Sequence, residues 1–228
     1  MKQPLPSVVD ALSGGLIVSV QADDGSPVRD VRVIGALGES ALLGGACALR
    51  VNGPEDVRRL RSVTDVPIIG LHKVHNGARN IITPRLELAV GLADAGADLI
   101  AVDATLEHLG QQFSMLRDVA EAAQRPVMAD VSTFEEGVLA WESGAAVVGT
   151  TLSGYTPYSV RNEDPDLGLV AALAAAGIHT IAEGRYRTAA QVAAAFEAGA
   201  LAVVVGGAVT DPIAITRRFV AVAPGVRS

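Results

Sequence analysis

Short apolar runs recur along the chain, and each ends at a glycine or a polar residue. Runs of this length are too short for independent helices, and bounded apolar runs are typical of the buried strands of a parallel sheet. The pattern predicts eight strands: Gly15–Val20, Cys47–Val51, Pro67–Leu71, Leu99–Val102, Pro126–Ala129, Ala145–Val148, Ile178–Ala182 and Leu201–Val205.

Segments with helix start and stop signals separate these runs. Proline at the first helical position opens some of them, aspartate, serine or threonine precedes others, and glycine often ends them. The predicted helices are Pro27–Leu43, Pro54 to about Val63, Pro84 to Ala95, Gln111–Ala123, one capped by Ser132 or Thr133, one opened by Asp164 and Pro165, Thr188–Ala198, and one from Asp211 to about Val222. Eight strand–helix pairs in 228 residues favour one closed (β/α)8 TIM barrel, a single domain spanning residues 1–228, over an open sheet.

Three further segments complete this prediction. Pro6–Leu12 is predicted to be a short helix that closes the bottom of the barrel. Val74–Thr83 and Gly149–Asn162 are predicted to be loops, and the second is the longest in the chain.

The last two predicted strands are each followed by a glycine turn. Glu183–Arg185 follows one strand and Gly206–Ala208 follows the next, with an alanine-rich helix between them. Two such turns at neighbouring strand ends bring unpaired backbone N–H groups together, and many barrels bind phosphate there. We therefore predict a phosphate site formed by five residues: Gly184, Arg185, Gly206, Gly207 and Ala208. The alternative is that these glycines only turn the chain.

Composition and charge narrow the class of protein. The formal net charge of −7 argues against general binding to nucleic acid or to an acidic membrane. The single cysteine, Cys47, lies in an apolar run, which favours a core position and excludes a disulfide within the chain. No apolar run approaches the roughly 18 residues of a membrane span. These features predict a soluble, cytoplasmic protein.

Polar residues follow nearly every predicted strand, at the end where barrel enzymes carry their active sites. They are Gln21, Arg50, Lys73, Asp103, Asp130, Thr150, Thr151 and Glu183. This arrangement predicts a site for a small polar ligand. Tyr155 and Tyr158, in the longest loop, either cover that ligand or pack the loop onto the barrel.

Lys73 and Glu183 are the strongest candidates for chemistry. A lysine at a strand mouth loses solvation, which lowers its pKa and makes it a base or an imine-forming amine, although a solvated loop lysine is the alternative. Glu183 lies between alanine and glycine, where a carboxylate has no packing role. The alternative to a catalytic role is a salt bridge to Arg185 or Arg187. The alternative for Asp103 and Asp130 is capping of loop N–H groups. His72 and His75 flank Lys73, but no third ligand pattern predicts a zinc site.

Eight segments resemble the N-acetylmannosamine-6-phosphate 2-epimerases, a family of cytoplasmic (β/α)8 barrels. They are GLIVSVQA at Gly15–Ala22, GGACALRVNG at Gly44–Gly53, PIIGLHK at Pro67–Lys73, AGADLIAVDAT at Ala95–Thr105, MADVSTFEEG at Met128–Gly137, GTTLSGYTPYS at Gly149–Ser159, IAEGRYRT at Ile181–Thr188 and AVVVGGAVTDP at Ala202–Pro212. The resemblance covers nearly the whole chain. It implies a sugar-phosphate substrate, an epimerase of sialic-acid catabolism, no organic cofactor, no metal and a homodimer.

The resemblance also implies roles for single residues. Lys73 is the implied catalytic lysine and Glu183 the implied catalytic carboxylate. The implied sugar-binding residues are Gln21, Arg50 and Asp130, and we add Asp103 and Thr151 from their positions at strand ends.

The sequence departs from the family pattern in two loops over the predicted site. Val74 and His75 follow the lysine where the family has Arg-Asp, and Leu106–Gly110 replaces an arginine-rich stretch. The exact sugar therefore stays open. Three alternative functions also stay open: a related sugar-phosphate isomerase, a Schiff-base aldolase acting through Lys73, and a non-catalytic sugar-phosphate sensor.

Overall fold

A computed structural model describes residues 6–225, which form a closed barrel of eight parallel strands. The barrel strands are β1 Leu16–Val20, β2 Ala48–Asn52, β3 Ile68–Leu71, β6 Leu99–Asp103, β7 Val127–Asp130, β8 Val147–Gly149, β9 Thr180–Glu183 and β10 Ala202–Val205. Around the barrel they follow the order β1-β10-β9-β8-β7-β6-β3-β2. The remaining two, β4 Lys73–His75 and β5 Asn80–Ile82, form a separate two-stranded sheet. The predicted barrel and its eight strands are confirmed.

A helix follows each barrel strand, as the sequence pattern predicts. The helices are α1 Ser7–Asp10, α2 Val31–Leu43, α3 Pro54–Arg61, α4 Leu86–Asp94, α5 Leu106–Leu109, α6 Met115–Ala123, α7 Phe134–Glu142, α8 Leu167–Ala175, α9 Ala189–Glu197 and α10 Pro212–Val220. The start predicted at Pro27 is wrong by four residues, because the Asp30 side chain accepts a hydrogen bond from the Arg32 N–H and caps α2 there. Within residues 6–225, no helix is long and apolar enough to cross a membrane.

The segment Val74–Thr83 is not a loop, as predicted, but an antiparallel hairpin. Lys73 pairs with Ile82, and His75 pairs with Asn80. The hairpin leaves the barrel directly after β3 and returns to α4. Lys73 therefore lies on a short strand of regular geometry rather than on an irregular loop.

Helix α1 closes the lower end of the barrel. Val9 and Leu12 are fully buried and pack with barrel-interior residues such as Ile17 and Ile69. The predicted role of this segment is confirmed. With the bottom filled by apolar side chains, the opposite end, at the carboxyl ends of the strands, is left for a site.

Candidate active site

Alternation along the strands sends the predicted polar residues to the inside of the barrel. Successive side chains of a strand point to opposite faces, so residues two apart share a face. Ile17 and Ala48 belong to the interior cluster, and Gln21 and Arg50 continue their rows toward the carboxyl end. In the same way, Met128 of β7 lies on the same face as Asp130, and Ile181 of β9 lies on the same face as Glu183.

A cavity of about 780 Å³ opens at this end of the barrel. Gln21, Arg50, Lys73, Thr151, Glu183, Gly184, Arg185, Gly206, Gly207 and Ala208 all line it. The structure thus brings together ten residues that the sequence predicts as site residues. Three other predicted residues, Asp103, Asp130 and Thr150, are buried and do not line the cavity.

A buried ion pair crosses the barrel beneath the cavity. The Arg50 guanidinium donates to both Asp130 oxygens, from Nη2 to Oδ2 over 2.7 Å and from Nη1 to Oδ1 over 3.2 Å. The two side chains are 1% and 0% exposed. Breaking one partner of such a pair costs about 3–5 kcal/mol, because it leaves a buried charge without compensation. Asp130 therefore orients Arg50 from below.

Glu183 is the second carboxylate on Arg50. Its Oε2 lies 3.2 Å from Arg50 Nη1 and accepts a 3.1 Å hydrogen bond from the Thr151 hydroxyl. The predicted alternative, a salt bridge to Arg185 or Arg187, is wrong, since the partner is Arg50. Burial raises the pKa of Glu183 to about 7, and the Asp130 carboxylate adds to this while Arg50 opposes it. Glu183 is thus able to give and to accept a proton near neutral pH.

Lys73 lies across the same cavity. Burial lowers its pKa; Asp23 and Glu183 oppose that shift, and Arg50 adds to it. Among residues 6–225, the Lys73 ammonium has no hydrogen-bond or ion-pair partner in the structure, whereas its backbone N–H donates to Asn52. The chain has only two lysines, Lys2 and Lys73, against sixteen arginines. An arginine cannot give up its proton in a protein, so a lysine here fits a proton-transfer role.

Gly149 makes room for this cluster. A Cβ at that position would lie 2.4 Å from Met128 Cε, 3.0 Å from Asp130 Oδ1 and 3.1 Å from Thr151 Oγ1. Thr151 Oγ1 sits between the two carboxylates, 2.5 Å from Asp130 Oδ1, so its one hydroxyl proton serves either carboxylate but not both at once. The glycine in the GTT sequence is therefore required by the packing around the site rather than by a turn.

Three buried polar atoms beside the cavity have no hydrogen-bond partner in the described part of the chain. One is the hydroxyl of Tyr186, and the other two are Oε1 of Gln21 and Nε of Arg50. The Gln21 amide is fixed by a 2.7 Å hydrogen bond from its Nε2 to Ser19. An unpaired acceptor and an unpaired donor that are both buried are costly unless a ligand satisfies them. They fit a ligand that offers both an N–H or O–H group and an oxygen.

The turns after β9 and β10 expose backbone N–H groups to the cavity. In residues 6–225 no protein acceptor takes the N–H groups of Gly184, Arg185, Gly206, Gly207 or Ala208. The Gly206 carbonyl accepts from Val209 and Thr210, so this turn is helical and its first N–H groups point outward unpaired. Gly184 has φ 114°, a conformation that side chains rarely allow. These groups suit an anion such as a phosphate.

The Arg185 side chain has a different function from its backbone. Its Nε donates to the Asp164 carbonyl and its Nη1 to the Ser153 carbonyl, and its guanidinium lies 5.3 Å from the Tyr155 ring centroid. Arg185 thereby ties the long loop after β8 to the turn after β9. Tyr155 lines the cavity, whereas Tyr158 does not.

Asp103 is not part of the cavity wall, in contrast to its predicted substrate-binding position. It is fully buried, and both of its oxygens already accept hydrogen bonds from protein groups. Oδ1 accepts from the Thr105 backbone N–H, which is the capping alternative, and Oδ2 receives the Arg79 guanidinium. The Asp103 carboxylate thus already accepts three hydrogen bonds, from Arg79 and from the backbone N–H and hydroxyl of Thr105.

Sequence reasoning missed several residues of the cavity. Asp23, Arg187, Arg217 and Arg218 also line it, the last two from α10. They lie beyond the first residues after each strand, so the strand-end rule does not reach them. A search of the described residues finds no group of three or more histidine, cysteine or acidic residues that could hold a metal ion.

Proteins with similar sequences belong to one enzyme family. The family model described as "Putative N-acetylmannosamine-6-phosphate epimerase" matches residues 34–223. A relative from Caldanaerobacter subterraneus, named "Putative N-acetylmannosamine-6-phosphate 2-epimerase", is 41% identical over 219 residues, which are 93% of this chain and 92% of that protein. A relative of the same name from Yersinia pseudotuberculosis is 44% identical over 200 residues, covering 87% of this chain and 85% of the relative.

Solved structures extend the comparison. The N-acetylmannosamine-6-phosphate 2-epimerase from Clostridium perfringens superimposes with a TM-score of 0.89 at 36% identity, over 98% of this chain and 99% of that one. A structure described as that of "a putative deoxyribose-phosphate aldolase from Coccidioides immitis" superimposes with a TM-score of 0.67 at 19% identity, over 95% of this chain and 88% of that one. The second likeness shows only a shared barrel fold.

Proposed function

This chain belongs to the N-acetylmannosamine-6-phosphate 2-epimerase family, and we propose that it is an isomerase that interconverts N-acetylmannosamine 6-phosphate and N-acetylglucosamine 6-phosphate. The reaction moves one proton off C2 of the sugar and returns one to the opposite face. It therefore requires proton transfer on both faces of C2, stabilisation of the carbanion, and a binding site for the phosphate.

One observation carries this proposal: Lys73 and Glu183 face the same cavity with pKa values that both move toward neutrality. Burial lowers the pKa of Lys73 from its usual value, and burial raises the pKa of Glu183 from its usual value to about 7. A proton-transfer group works best when its pKa lies near the pH of the reaction. A site that only bound a sugar phosphate would gain nothing from such a pair.

The proton steps follow from these two groups. In the open-chain sugar, the aldehyde at C1 makes the hydrogen on C2 acidic. The neutral Lys73 amine takes that proton and becomes an ammonium, while the electron pair of the C–H bond moves into an enolate with its charge on the C1 oxygen. Protonated Glu183 then gives its proton to C2 from the other face, and the reverse direction exchanges the two roles.

Arg50 is suited to stabilise the enolate. Its guanidinium is held by Asp130 and Glu183, and its buried Nε has no partner among the described residues. A preorganised donor of this kind lowers the energy of developing negative charge without a reorganisation cost. The unpaired Oε1 of Gln21 is suited to accept a hydrogen bond from the acetamido N–H or from a hydroxyl.

The unpaired N–H groups after β9 and β10 are proposed to bind the phosphate. Arg187, Arg217 and Arg218 line the same cavity, and their side chains form no hydrogen bond or ion pair with residues 6–225. Their positive charge complements a phosphate dianion in a protein of net charge −7. This explains how an acidic protein takes an anionic substrate.

Replacing Gly207 with valine is expected to raise KM for the phosphorylated sugar tenfold or more and to leave kcat within about threefold. A Cβ there meets only Asp211 Cβ, at 3.6 Å, so the fold accepts it, but the added methyl groups crowd the N–H site. Steady-state kinetics measure both constants. Gly91→Val is the control, because a Cβ at Gly91 meets nothing within 4 Å. Equal wild-type activity on unphosphorylated N-acetylmannosamine would contradict the phosphate site.

The decisive test of the function is incubation of the protein with N-acetylmannosamine 6-phosphate in D2O, followed by NMR at C2. We expect deuterium to enter C2 as the N-acetylglucosamine epimer appears. A Schiff-base aldolase would instead be trapped covalently by borohydride in the presence of its substrate, and the adduct would map to Lys73. If neither deuterium exchange nor borohydride trapping occurs, the protein binds a sugar phosphate without catalysis.

We also propose that the protein acts as a homodimer in the cytoplasm, where charged sugar phosphates are retained. No residue of α10 is buried, and Phe219 and Val222 are 69% and 81% exposed. Exposed apolar side chains of this size are suited to pack against a second copy of the chain. Light scattering is expected to give a dimer mass for the wild type and a monomer mass for a Phe219→Asp, Val222→Asp variant. A monomeric wild type at micromolar concentration would contradict the dimer.

A further inference from the structure

The hairpin that carries Lys73 is tied at its far end to a different part of the barrel. We propose that Arg79, at the hairpin turn, and Asp103, at the end of β6, form a latch that positions Lys73 for proton transfer. This inference rests on the proposed function, in which Lys73 acts on C2. It assigns to Asp103 a positioning role instead of a contact with the sugar.

Arg79 spans the gap between hairpin and barrel with all three of its guanidinium nitrogens. Nη1 donates to Asp103 Oδ2 over 2.5 Å, Nη2 to the Thr105 hydroxyl over 3.1 Å and Nε to Glu107 Oε2 over 2.7 Å. Nη1 also donates to the carbonyl of Asn80 within the hairpin, which stiffens the turn. The fork geometry of arginine makes this set of contacts directional.

The anchor of the latch is rigid. Asp103 is fully buried, and its other oxygen accepts from the backbone N–H and hydroxyl of Thr105. The Arg79 side chain is only 15% exposed. Charge-assisted hydrogen bonds in such surroundings are stronger and less screened than surface pairs. The hairpin is thus fixed to a point that belongs to the barrel wall.

The hairpin needs this anchor because it is small. Each of its strands has three residues, and isolated two-stranded hairpins are marginally stable. At its base, the Thr83 N–H donates to the His72 carbonyl and the His72 N–H to the Thr83 hydroxyl. The latch adds the second support, at the opposite end, so that β4 is held from both ends.

Lys73 depends on its backbone for its position. Its ammonium contacts no described side chain by hydrogen bond or ion pair, so nothing fixes the amine except the strand that carries it and the Asn52 contact to its N–H. A misplacement of about 1 Å at a reacting group can cost about 10²-fold in rate. Release of the latch is therefore expected to lower kcat more than it raises KM. The turns after β9 and β10, which we propose to bind the phosphate, lie on the other side of the barrel.

The key variant is the double replacement Arg79→Met, Asp103→Asn, which removes both charges together and leaves neither one buried alone. We expect kcat to fall by about 10- to 100-fold, with KM within about twofold of wild type. The same fall in C2 deuterium exchange is expected, since proton removal is the affected step. Thermal unfolding, and the fraction of protein that is folded at the assay temperature, separate this effect from loss of structure.

Single variants test whether the two residues act as one unit. Arg79→Met and Asp103→Asn are each expected to lower kcat, and the double variant is expected to be no worse than the worse single one. Arg79→Lys keeps the charge without the fork and is expected to recover part of kcat. Arg85→Met, which removes an exposed ion pair with Glu87 beside the hairpin, is the matched control and is expected to match wild type.

Two results would overturn the latch. One is a folded double variant with wild-type kcat, and the other is a raised KM at unchanged kcat, which would return Asp103 to substrate binding. A wild-type protein that exchanges no deuterium at C2 would instead defeat the proposed function itself, so the two failures are distinguishable.

Discussion

Replacing Lys73 with alanine is expected to lower kcat for epimerisation by about 10²–10⁴-fold, the usual cost of a lost acid or base. Deuterium exchange at C2 should fall with it, because the amine that removes the proton is gone. The fold should survive, since the Lys73 side chain forms no hydrogen bond or ion pair with the described residues. Parallel NMR measurements of epimer formation and exchange in D2O check both effects.

Lys73→Arg is the sharper companion variant. It keeps a cation at the mouth of the barrel, but an arginine stays protonated and cannot act as a base. We expect it to be as inactive as the alanine variant if Lys73 transfers a proton. Activity close to wild type in Lys73→Arg would mean that only positive charge is needed. Undiminished turnover in Lys73→Ala would remove the lysine from the mechanism and leave the carboxylates of Asp23, Asp130 and Glu183 as the candidate bases.

Glu183→Gln is expected to abolish epimerisation and to stabilise the fold at alkaline pH. Glutamine keeps an oxygen that accepts from Arg50 and Thr151, so the contacts of the site are largely retained. It cannot deliver a proton to C2. If Lys73 acts alone on one face, exchange can continue in this variant while the epimer no longer forms, and the D2O experiment separates the two rates.

The stability effect follows from the raised pKa of Glu183, about 7 in the fold against 4.5 in the unfolded chain. A raised carboxylate pKa means that the folded state binds more protons, so its stabilising contribution is present below pH 4.5 and is lost as the pH rises to 7. A glutamine does not ionise, so the variant does not lose this stability as the pH rises. Between pH 4 and pH 8, the unfolding free energy of the variant relative to wild type should rise by about 3 kcal/mol.

Urea unfolding at a series of pH values measures this difference. Glu197→Gln, at an exposed position on α9, is the control and should show no comparable trend. A difference between Glu183→Gln and wild type that does not change with pH would contradict the raised pKa, and with it the use of Glu183 as an acid near neutrality. Stability lost at a buried ionisable group is the expected cost of function there.

The sequence alone determined the architecture and the residues that face the cavity. Strand length, helix caps and glycine stops are local properties, and so is the alternation that sends Gln21, Arg50, Lys73 and Glu183 to one face. Because all strands of this barrel are parallel, residues at their carboxyl ends must converge, whichever strands are neighbours. The two turns that we propose to bind phosphate follow from the same local pattern, since glycine turns leave N–H groups unpaired.

Only the tertiary structure decided which of these residues contact one another. Arg50 lies 80 residues from Asp130 and finds it across the closed barrel, where strand order and register fix the distance between them. Asp103 and Asp130 look alike in sequence, since each ends a strand. Yet Asp103 holds Arg79, because the hairpin after β3 reaches the end of β6, whereas Asp130 orients Arg50. Partner choice depends on the packing of distant segments, and no local pattern of apolar and polar residues encodes it.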